Sequence, residues 1–165
     1  MEIRLAGIEE VQIAMDIIND AKVHLMEQGI NQWQTGYPDH GCIEKDIIQQ
    51  KGYFIVEDED ILGYLCVDYD GESSYKDMQG TWNTSESYVV VHRMAFTDKA
   101  RGKGISCIVF RLVEELSKEK GIRSFRVDTD ANNHKMKHIL KKNGFSYCGK
   151  IWFDNSEKIA FDKNF

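Results

Sequence analysis

The chain has 165 residues, about the size of one domain, and its 42% hydrophobic and 29% charged residues are typical of a globular protein. Its formal net charge of −6 argues against a general binder of nucleic acids or membrane surfaces, since such proteins usually present a basic face. No apolar run approaches membrane-spanning length, and the N-terminus lacks the basic start and apolar core of a signal peptide. The four cysteines are scattered without a CxxC pair, which favours reduced, buried thiols. We therefore expect one cytoplasmic domain spanning residues 1–165.

Hydrophobic periodicity predicts a chain that combines strands and helices. Apolar residues from Ile8 to Leu25 have mostly helical spacing, and short apolar runs bounded by polar turns predict strands. In chain order, the predicted elements are a strand at 2–6, helices at 8–28 and 42–50, strands at 53–57, 61–70 and 88–96, a helix at 105–119, a strand at 124–129, a helix after Asn133, and strands at 145–153 and 158–164. The polar stretch 71–86 is expected to form a loop with room for one helical turn. This order predicts an α/β fold with a mixed sheet.

The segment 95–105 carries the clearest functional signal. A predicted strand ends at Phe96 and runs into a polar turn, which closes with Arg101-Gly102-Lys103-Gly104 directly before a helix. A glycine-containing turn that opens a helix points several backbone N–H groups at one place, where the helix dipole adds partial positive charge. The pattern therefore predicts a site for a phosphate or pyrophosphate group.

Two common phosphate loops do not fit this segment. A Walker loop requires a glycine five residues before Gly102 and Ser or Thr after Lys103, and neither is present. The dinucleotide fingerprint requires Gly or Ala three residues after Gly104, where the chain has Cys107.

The segment instead resembles the coenzyme A loop of the GCN5-related N-acetyltransferases (GNAT). That motif is Arg/Gln-x-x-Gly-x-Gly/Ala between a strand and a helix, and here it reads Arg101-Gly102-Lys103-Gly104-Ile105-Ser106. Ser106 departs from the pattern, but serine is small and its N–H remains available.

A second stretch resembles the other motif of the same family, Asn-x-x-Ala-x-x-Leu-Tyr-x-x-x-Gly-Phe. Asn133, Gly144 and Phe145 match in register, and Asn133 can also cap the predicted helix. Met136 replaces the usual Ala, and Leu140 replaces the usual Tyr. The resemblance runs from residue 88 to about residue 151.

The resemblance implies a twisted mixed sheet of six or seven strands flanked by about four helices. It also implies transfer of an acetyl group from acetyl-CoA to a primary amine of a small molecule or peptide, without a metal. Two strands, ending here at Phe96 and Thr129, are expected to splay apart around the coenzyme. The implied coenzyme contacts are Met94, Ala95 and Phe96 for the pantetheine arm, Arg101, Gly102, Lys103, Gly104, Ile105 and Ser106 for the pyrophosphate, and Asn133 and Met136 beside the arm.

The reaction needs a base to deprotonate the acceptor ammonium. Asp128 is the first candidate, since related ribosomal-protein acetyltransferases carry a glutamate at this offset from the motif asparagine; the alternative is a role in orienting backbone. His92 is second: it lies two residues before Met94, so both side chains are expected on one face of the strand. Glu57 is a third candidate. The usual acid is absent at Leu140, and Tyr147 or a water could replace it.

The acceptor pocket is expected between the first two helices and the segment before the central strand. Trp33 and Tyr37 are the aromatic candidates, because aromatic faces together with carboxylates suit an ammonium group. Further candidates are Trp82, Tyr88, Asp39, Asp68 and Asp70.

Two other functions remain open at this stage. The chain could be a coenzyme A-binding sensor or interaction module without catalysis, which the missing Tyr favours, or it could transfer another acyl group, such as propionyl or succinyl. His134 and His138 lie four residues apart but lack a third metal ligand, so they are expected to be exposed. The expected partners are an amine acceptor and, in a homodimer, a second copy paired through the C-terminal strands; a monomer is equally open.

Overall fold

The computed structural model describes residues 1–153 and 156–165. Within these residues the four α-helices are α1 (Val11–Glu27), α2 (His40–Ile48), α3 (Ile105–Glu119) and α4 (His134–Lys142). The strands are β1 (Glu2–Leu5), β2 (Gly52–Glu57), β3 (Asp60–Asp68), β4 (Gln79–Gly80), β5 (Tyr88–Phe96), β6 (Ser124–Asp130), β7 (Ser146–Phe153) and β8 (Ser156–Asn164). No helix among them is long and apolar enough to span a membrane.

The strands form one mixed sheet in the order β1-β2-β3-β5-β6-β8-β7-β4. The β5–β6 pair is parallel and the other neighbouring strands are antiparallel. The predicted α/β fold class is therefore confirmed. The described part of the sheet has eight strands instead of six or seven. The additional strand is the two-residue β4, which lies inside the expected loop 71–86 and pairs with Gly149 and Lys150 of β7. A pair this short leaves no hydrophobic signal in the sequence.

One helix boundary differs from the prediction, and one expected helical turn is present. The first helix begins at Val11 rather than at residue 8, because Ile8–Glu10 forms a 3₁₀ turn in which the Glu10 carboxylate accepts from the N–H of Gly7. The helical turn expected in the loop 71–86 is the 3₁₀ segment Ser73–Asp77.

Helices cover both faces of the sheet. On one face, where the sequence predicts the coenzyme and which is called here the coenzyme face, α3 and α4 bury Phe110, Val113 and Leu140 against Phe125 and Phe161 of the sheet. On the other, where the acceptor is expected and which is called here the acceptor face, α1 and α2 bury a second cluster that includes Ile18, Ile43, Phe54, Tyr64 and Ala95. Each helix contributes an apolar stripe, as the periodicity predicts.

Strand β5 contains a β-bulge that changes which face its side chains take. Tyr64 and Cys66, two residues apart on β3, oppose Ala95 and His92, three residues apart on β5. The extra residue is accommodated at Arg93, whose φ of 53° is in the left-handed region. Because of this insertion Met94 packs with Val91 in the core of the coenzyme face, whereas His92 points to the acceptor face. The prediction that His92 and Met94 share a face is therefore wrong.

The β5 and β6 strands separate after a short parallel contact. They pair at Tyr88–Ser124, Val89–Phe125 and Val90–Arg126, and beyond these positions β5 pairs with β3 and β6 pairs with β8. The expected gap between the strands ending at Phe96 and Thr129 is therefore present. It opens a passage through the sheet from one face to the other.

Candidate active site

A cleft of about 690 Å³ runs through the gap between β5 and β6. Met94 and Phe96 line it on the coenzyme face, and His92 and Asp128 line it on the acceptor face. Its walls are completed by the segment between α1 and α2, by the segment after β3, and by the first residues of α3 and α4. The gap between β5 and β6 thus connects the two faces of the sheet, which have chemically different linings.

The end of the cleft on the coenzyme face has several features that favour an anion. Gly102 and Gly104 have φ values of 77° and 73°, which glycine adopts without strain, and Gly104 is the N-cap of α3. The first N–H groups of α3 have no partner within the helix. Arg101 donates through Nε to the carbonyl of Phe96 at 3.2 Å and through Nη1 to Asp98. Its Nη2 is buried at the cleft without a partner in the described part of the chain.

These features fit a pyrophosphate-bearing coenzyme. A buried guanidinium N–H group with no partner costs free energy until a ligand satisfies it. Thr129 repeats the pattern, since its Oγ1 is buried beside the cleft and also lacks a partner among the described residues. Ile105 and Ser106 line the cleft as well, whereas the exposed side chain of Lys103 and the side chain of Ala95 lie outside its lining.

The N-terminus of α4 forms the next part of the wall. Asn133 caps the helix, as predicted, because its Oδ1 accepts from the N–H of Met136 at 3.0 Å. Its Nδ2 donates to Oε1 of Gln32 at 3.1 Å, which ties the segment between α1 and α2 to this helix. Met136 lines the cleft, and the side chains of His134 and His138 are exposed, as expected.

Neither Leu140 nor Tyr147 supplies an acid to the cleft. Leu140 is fully buried in the core of the coenzyme face, and Tyr147 is 55% exposed on β7 outside the lining. Glu57 is exposed at the β2–β3 turn and is likewise remote from the cleft. The structure therefore removes Tyr147 as a candidate acid and Glu57 as a candidate base.

Four polar side chains converge where the cleft reaches the acceptor face. Oδ2 of Asp128 accepts from the Tyr75 hydroxyl at 2.8 Å. Nε2 of His92 lies 3.6 Å from Oε2 of Glu72. The other oxygen of Glu72, Oε1, accepts from the N–H and the hydroxyl of Ser74, both at 3.0 Å, so its carboxylate is held in place.

The surroundings change the proton affinity of both predicted bases. Burial raises the pKa of Asp128, and the Tyr75 hydroxyl and Lys158 oppose that rise. Burial and the neighbouring Arg93 lower the pKa of His92, so its imidazole is neutral near pH 7. A carboxylate with a raised pKa at the end of a cleft is suited to accept a proton.

Tyr75 is fixed by an aromatic cluster on the acceptor face. Its ring lies 5.0 Å from that of Trp82 and 6.3 Å from that of Tyr88, centroid to centroid. The Arg126 guanidinium lies between Trp82 and Tyr88, 4.2 Å and 3.8 Å from their centroids. Trp82 and Tyr88 therefore support Tyr75 and do not line the cleft, so their expected place in the acceptor pocket is wrong.

The bulge residue Arg93 anchors a network under the acceptor face. It forms a bidentate ion pair with Asp46 of α2, with Nε–Oδ2 and Nη2–Oδ1 distances of 2.7 and 2.6 Å. Asp46 also accepts from the Tyr64 hydroxyl at 3.2 Å. The third nitrogen of Arg93, Nη1, donates to the Tyr37 hydroxyl at 2.7 Å. The network therefore joins α2, β3, β5 and the segment between α1 and α2.

Both predicted acceptor aromatics line the cleft. The Tyr37 ring contacts that of Phe153 edge-on at 5.7 Å, and burial raises the pKa of Tyr37 to about 12, so it stays protonated. Trp33 is only 8% exposed and belongs mainly to the core of α1 and α2. The carboxylates of Asp39, Asp68 and Asp70 lie elsewhere: Asp39 caps α2, and the other two pair with Lys51.

Several residues of the site have no clear signal in the sequence. These are Glu72, Tyr75, Arg93, Thr129 and Lys158. Glu72 and Tyr75 come from a polar stretch without periodicity, and the role of Arg93 depends on a bulge that no motif marks. Thr129 could have been suspected, because it lies next to Asp128 at the end of a predicted strand.

Comparisons with known proteins place the chain in a family. The model of the acetyltransferase (GNAT) family matches residues 18–145, so the chain belongs to this family. A GNAT-family acetyltransferase from Streptococcus agalactiae 2603 is 32% identical, with a TM-score of 0.91 over 99% of this chain and 95% of that chain. A GNAT-family acetyltransferase from Listeria monocytogenes 4b F2365 is 19% identical, with a TM-score of 0.78 over 99% and 94% of the two chains.

The fold is also shared with a protein solved together with coenzyme A. The PaiA N-acetyltransferase from Thermoplasma acidophilum is 16% identical and has a TM-score of 0.71 over 99% of this chain and 98% of that chain. No curated protein matches the sequence. Membership of the GNAT family supports acetyl transfer in general.

Proposed function

We propose that the protein transfers the acetyl group of acetyl-CoA directly to a primary amine of a small molecule or peptide, within a ternary complex. The observation that carries the proposal is the through-sheet cleft, which joins the anion-binding turn before α3 to the Asp128 carboxylate on the opposite face. Acetyl-CoA supplies an activated acyl group and a thiol that leaves readily.

On the coenzyme face, the chain's own residues bind and align. The turn at Gly102 to Ser106 offers N–H groups at the positive end of the α3 dipole, and Nη2 of Arg101 adds a donor that has no other partner among the described residues. The edge of β5 from Met94 to Phe96 that faces the gap is available to an extended ligand, which can add to it like a strand.

On the acceptor face, Asp128 removes a proton from the acceptor ammonium. Tyr75 holds one carboxylate oxygen, so the other, Oδ1, is left for the acceptor or for His92. The neutral imidazole of His92 is a second acceptor of the same proton. The proton leaves the nitrogen before attack because only the free amine has a lone pair.

A second candidate function is coenzyme A binding without catalysis. The buried Leu140 at the position of the usual tyrosine favours it, since this side chain cannot protonate a thiolate. The two functions share the anion-binding turn and differ in what happens at Asp128.

Coenzyme binding is testable by thermal unfolding with acetyl-CoA, coenzyme A and ATP. At about 100 times Kd the coenzyme should add about 2.7 kcal/mol of stability, a rise of about 5–10 °C in the melting temperature. Gly104→Glu should abolish the rise, because it places a carboxylate where the phosphates bind. Gly121→Glu is a matched control: its φ is 74°, against 73° for Gly104, and both positions are open. A rise with ATP alone, or none with coenzyme A compounds, would contradict the proposal.

The role of Tyr75 can be read from the pH dependence of kcat/KM. Its hydroxyl stabilises the Asp128 carboxylate, so Tyr75→Phe should raise the pKa of Asp128 and move the acid limb to higher pH. The groups around Asp128 are His92, Glu72 and Lys158, and all remain in the variant. Tyr69→Phe removes a remote hydroxyl that contacts Ser117 and should leave the limb in place. An unmoved acid limb in Tyr75→Phe would exclude Asp128 as the titrating base.

A further inference from the structure

We propose that the acceptor is a hydrophobic primary amine, with an aromatic or aliphatic body, that carries no carboxylate next to the amino group. This inference rests on the proposed function and names its substrate class. It follows from how charge is distributed along the cleft and from the apolar wall beside Glu72 and Asp128.

The charges of the cleft lining are segregated. Among the described lining residues the carboxylates are Glu72 and Asp128, and both lie at the acceptor end. On the coenzyme side, Arg101, Lys135 and Lys142 provide cations in keeping with a polyanionic ligand. The acceptor end therefore suits a positive group.

The two cations among the described residues of the acceptor end, Arg93 and Lys158, are already neutralised. Arg93 is bound by both oxygens of Asp46, and the side chains of this pair are 11% and 8% exposed. Lys158 lies 3.4 Å from Oδ2 of Asp130 and 2.7 Å from the Ser156 hydroxyl, and the side chains of Lys158 and Asp130 are 4% and 3% exposed. Neither cation is left to receive an acceptor carboxylate without breaking its own buried pair, which is costly.

Glu72 would oppose an acidic acceptor directly. Its Oε1 is held by Ser74 and its Oε2 is directed toward His92, whose neutral ring does not offset the charge. An α-carboxylate beside an amine placed at Asp128 would face two carboxylates in a partly dehydrated cleft. Repulsion between like charges in such a cleft strongly disfavours binding of an acceptor that carries an α-carboxylate.

Much of the rest of the acceptor wall is apolar, although His24, Gln28 and Gln32 also contribute to the lining. Tyr37 and Phe153 contact each other edge-on, and Leu25, Ile30 and Trp33 extend the surface. The Tyr37 hydroxyl is engaged by Arg93, which leaves its ring as the contact surface. Such a wall favours binding of an acceptor with a hydrocarbon body and adds little binding free energy for a hydrophilic one.

The test compares three amines that share one body: tyramine, tyrosine and tyrosine methyl ester, each assayed by thiol release from acetyl-CoA. We expect kcat/KM for tyramine to exceed that for tyrosine on the order of 100-fold. The methyl ester, whose carboxylate charge is removed, should recover most of the difference. In Glu72→Gln the tyramine-to-tyrosine ratio should fall about tenfold, since one opposing charge is gone. Glu86→Gln, an exposed position in the same connection outside the cleft, should keep the wild-type ratio.

Each contrary outcome points to a different failure. Tyrosine used as well as tyramine, or an ester as poor as tyrosine, would overturn the proposed exclusion of carboxylates while leaving amine acetylation intact. Turnover of hydrophilic amines such as lysine peptides, with none of tyramine, would overturn the hydrophobic body. No thiol release with any amine, despite binding of acetyl-CoA, would overturn the proposed function itself.

Discussion

Asp128→Asn should lower kcat by about 10²–10⁴-fold at neutral pH, because the amide cannot accept the proton of the acceptor ammonium. Asparagine keeps the size of the side chain and an oxygen for the Tyr75 hydroxyl, so the fold should be preserved. The melting temperature and its rise with coenzyme A should match those of the wild type. Steady-state thiol release with a saturating amine gives the comparison.

The pH dependence of this loss separates a base from a structural residue. As the pH approaches the pKa of the acceptor amine, more of the amine is already free, so the deficit of Asp128→Asn should narrow. Asp70→Asn, an exposed carboxylate that pairs with Lys51, serves as the control and should leave kcat unchanged. A loss below threefold at pH 7 would show that Asp128 is dispensable and would move His92 into the role of base.

Asp46→Ala should reduce the free energy of unfolding by about 3–5 kcal/mol, because it leaves the buried Arg93 guanidinium without its bidentate partner. It also leaves the Tyr64 hydroxyl without its acceptor, and Tyr64 is fully buried. Urea unfolding followed by fluorescence measures the change.

A surface pair provides the matched comparison. Lys99 and Asp60 lie 3.2 Å apart with side chains 72% and 63% exposed, so Asp60→Ala should cost less than about 1 kcal/mol. Equal losses in Asp46→Ala and Asp60→Ala would mean that burial of the Arg93–Asp46 pair adds nothing to stability. If a double variant that also replaces Arg93 by Met recovers the free energy of unfolding, the loss in Asp46→Ala comes from the unpaired Arg93 charge.

The sequence predicted those features of the structure that depend on residues close together along the chain. The turn from Arg101 to Ser106 contains two residues with positive φ angles directly before a helix, and the glycines at 102 and 104 indicate both features in the sequence. The capping of α4 by Asn133 is likewise a contact within one turn. Helical and strand periods predicted the sheet and its helices for the same reason, since they reflect neighbours along the chain.

The remainder depends on contacts between distant parts of the chain. Tyr75 meets Asp128 across 53 positions, and Arg93 meets Asp46 across 47. Neither separation leaves a periodic trace in one sequence. The bulge at Arg93 shows the problem most clearly: one inserted residue reverses the expected side for His92, because alternation holds only while the pairing register is unbroken.

The parting of β5 from β6 also changes how the sheet is protected. An edge strand is normally a hazard at the rim of a fold, because its free N–H and C=O groups can recruit another chain. In this protein two such edges lie in the middle of the sheet and face each other across the cleft, whose lining includes residues of α1, α3 and α4. Because the cleft between them is only about 690 Å³, we expect a slender ligand with amide groups to reach these edges more readily than a second polypeptide chain. Under the proposed function, a strand edge that would be a hazard at the rim of the sheet serves to pair with a small molecule in its interior.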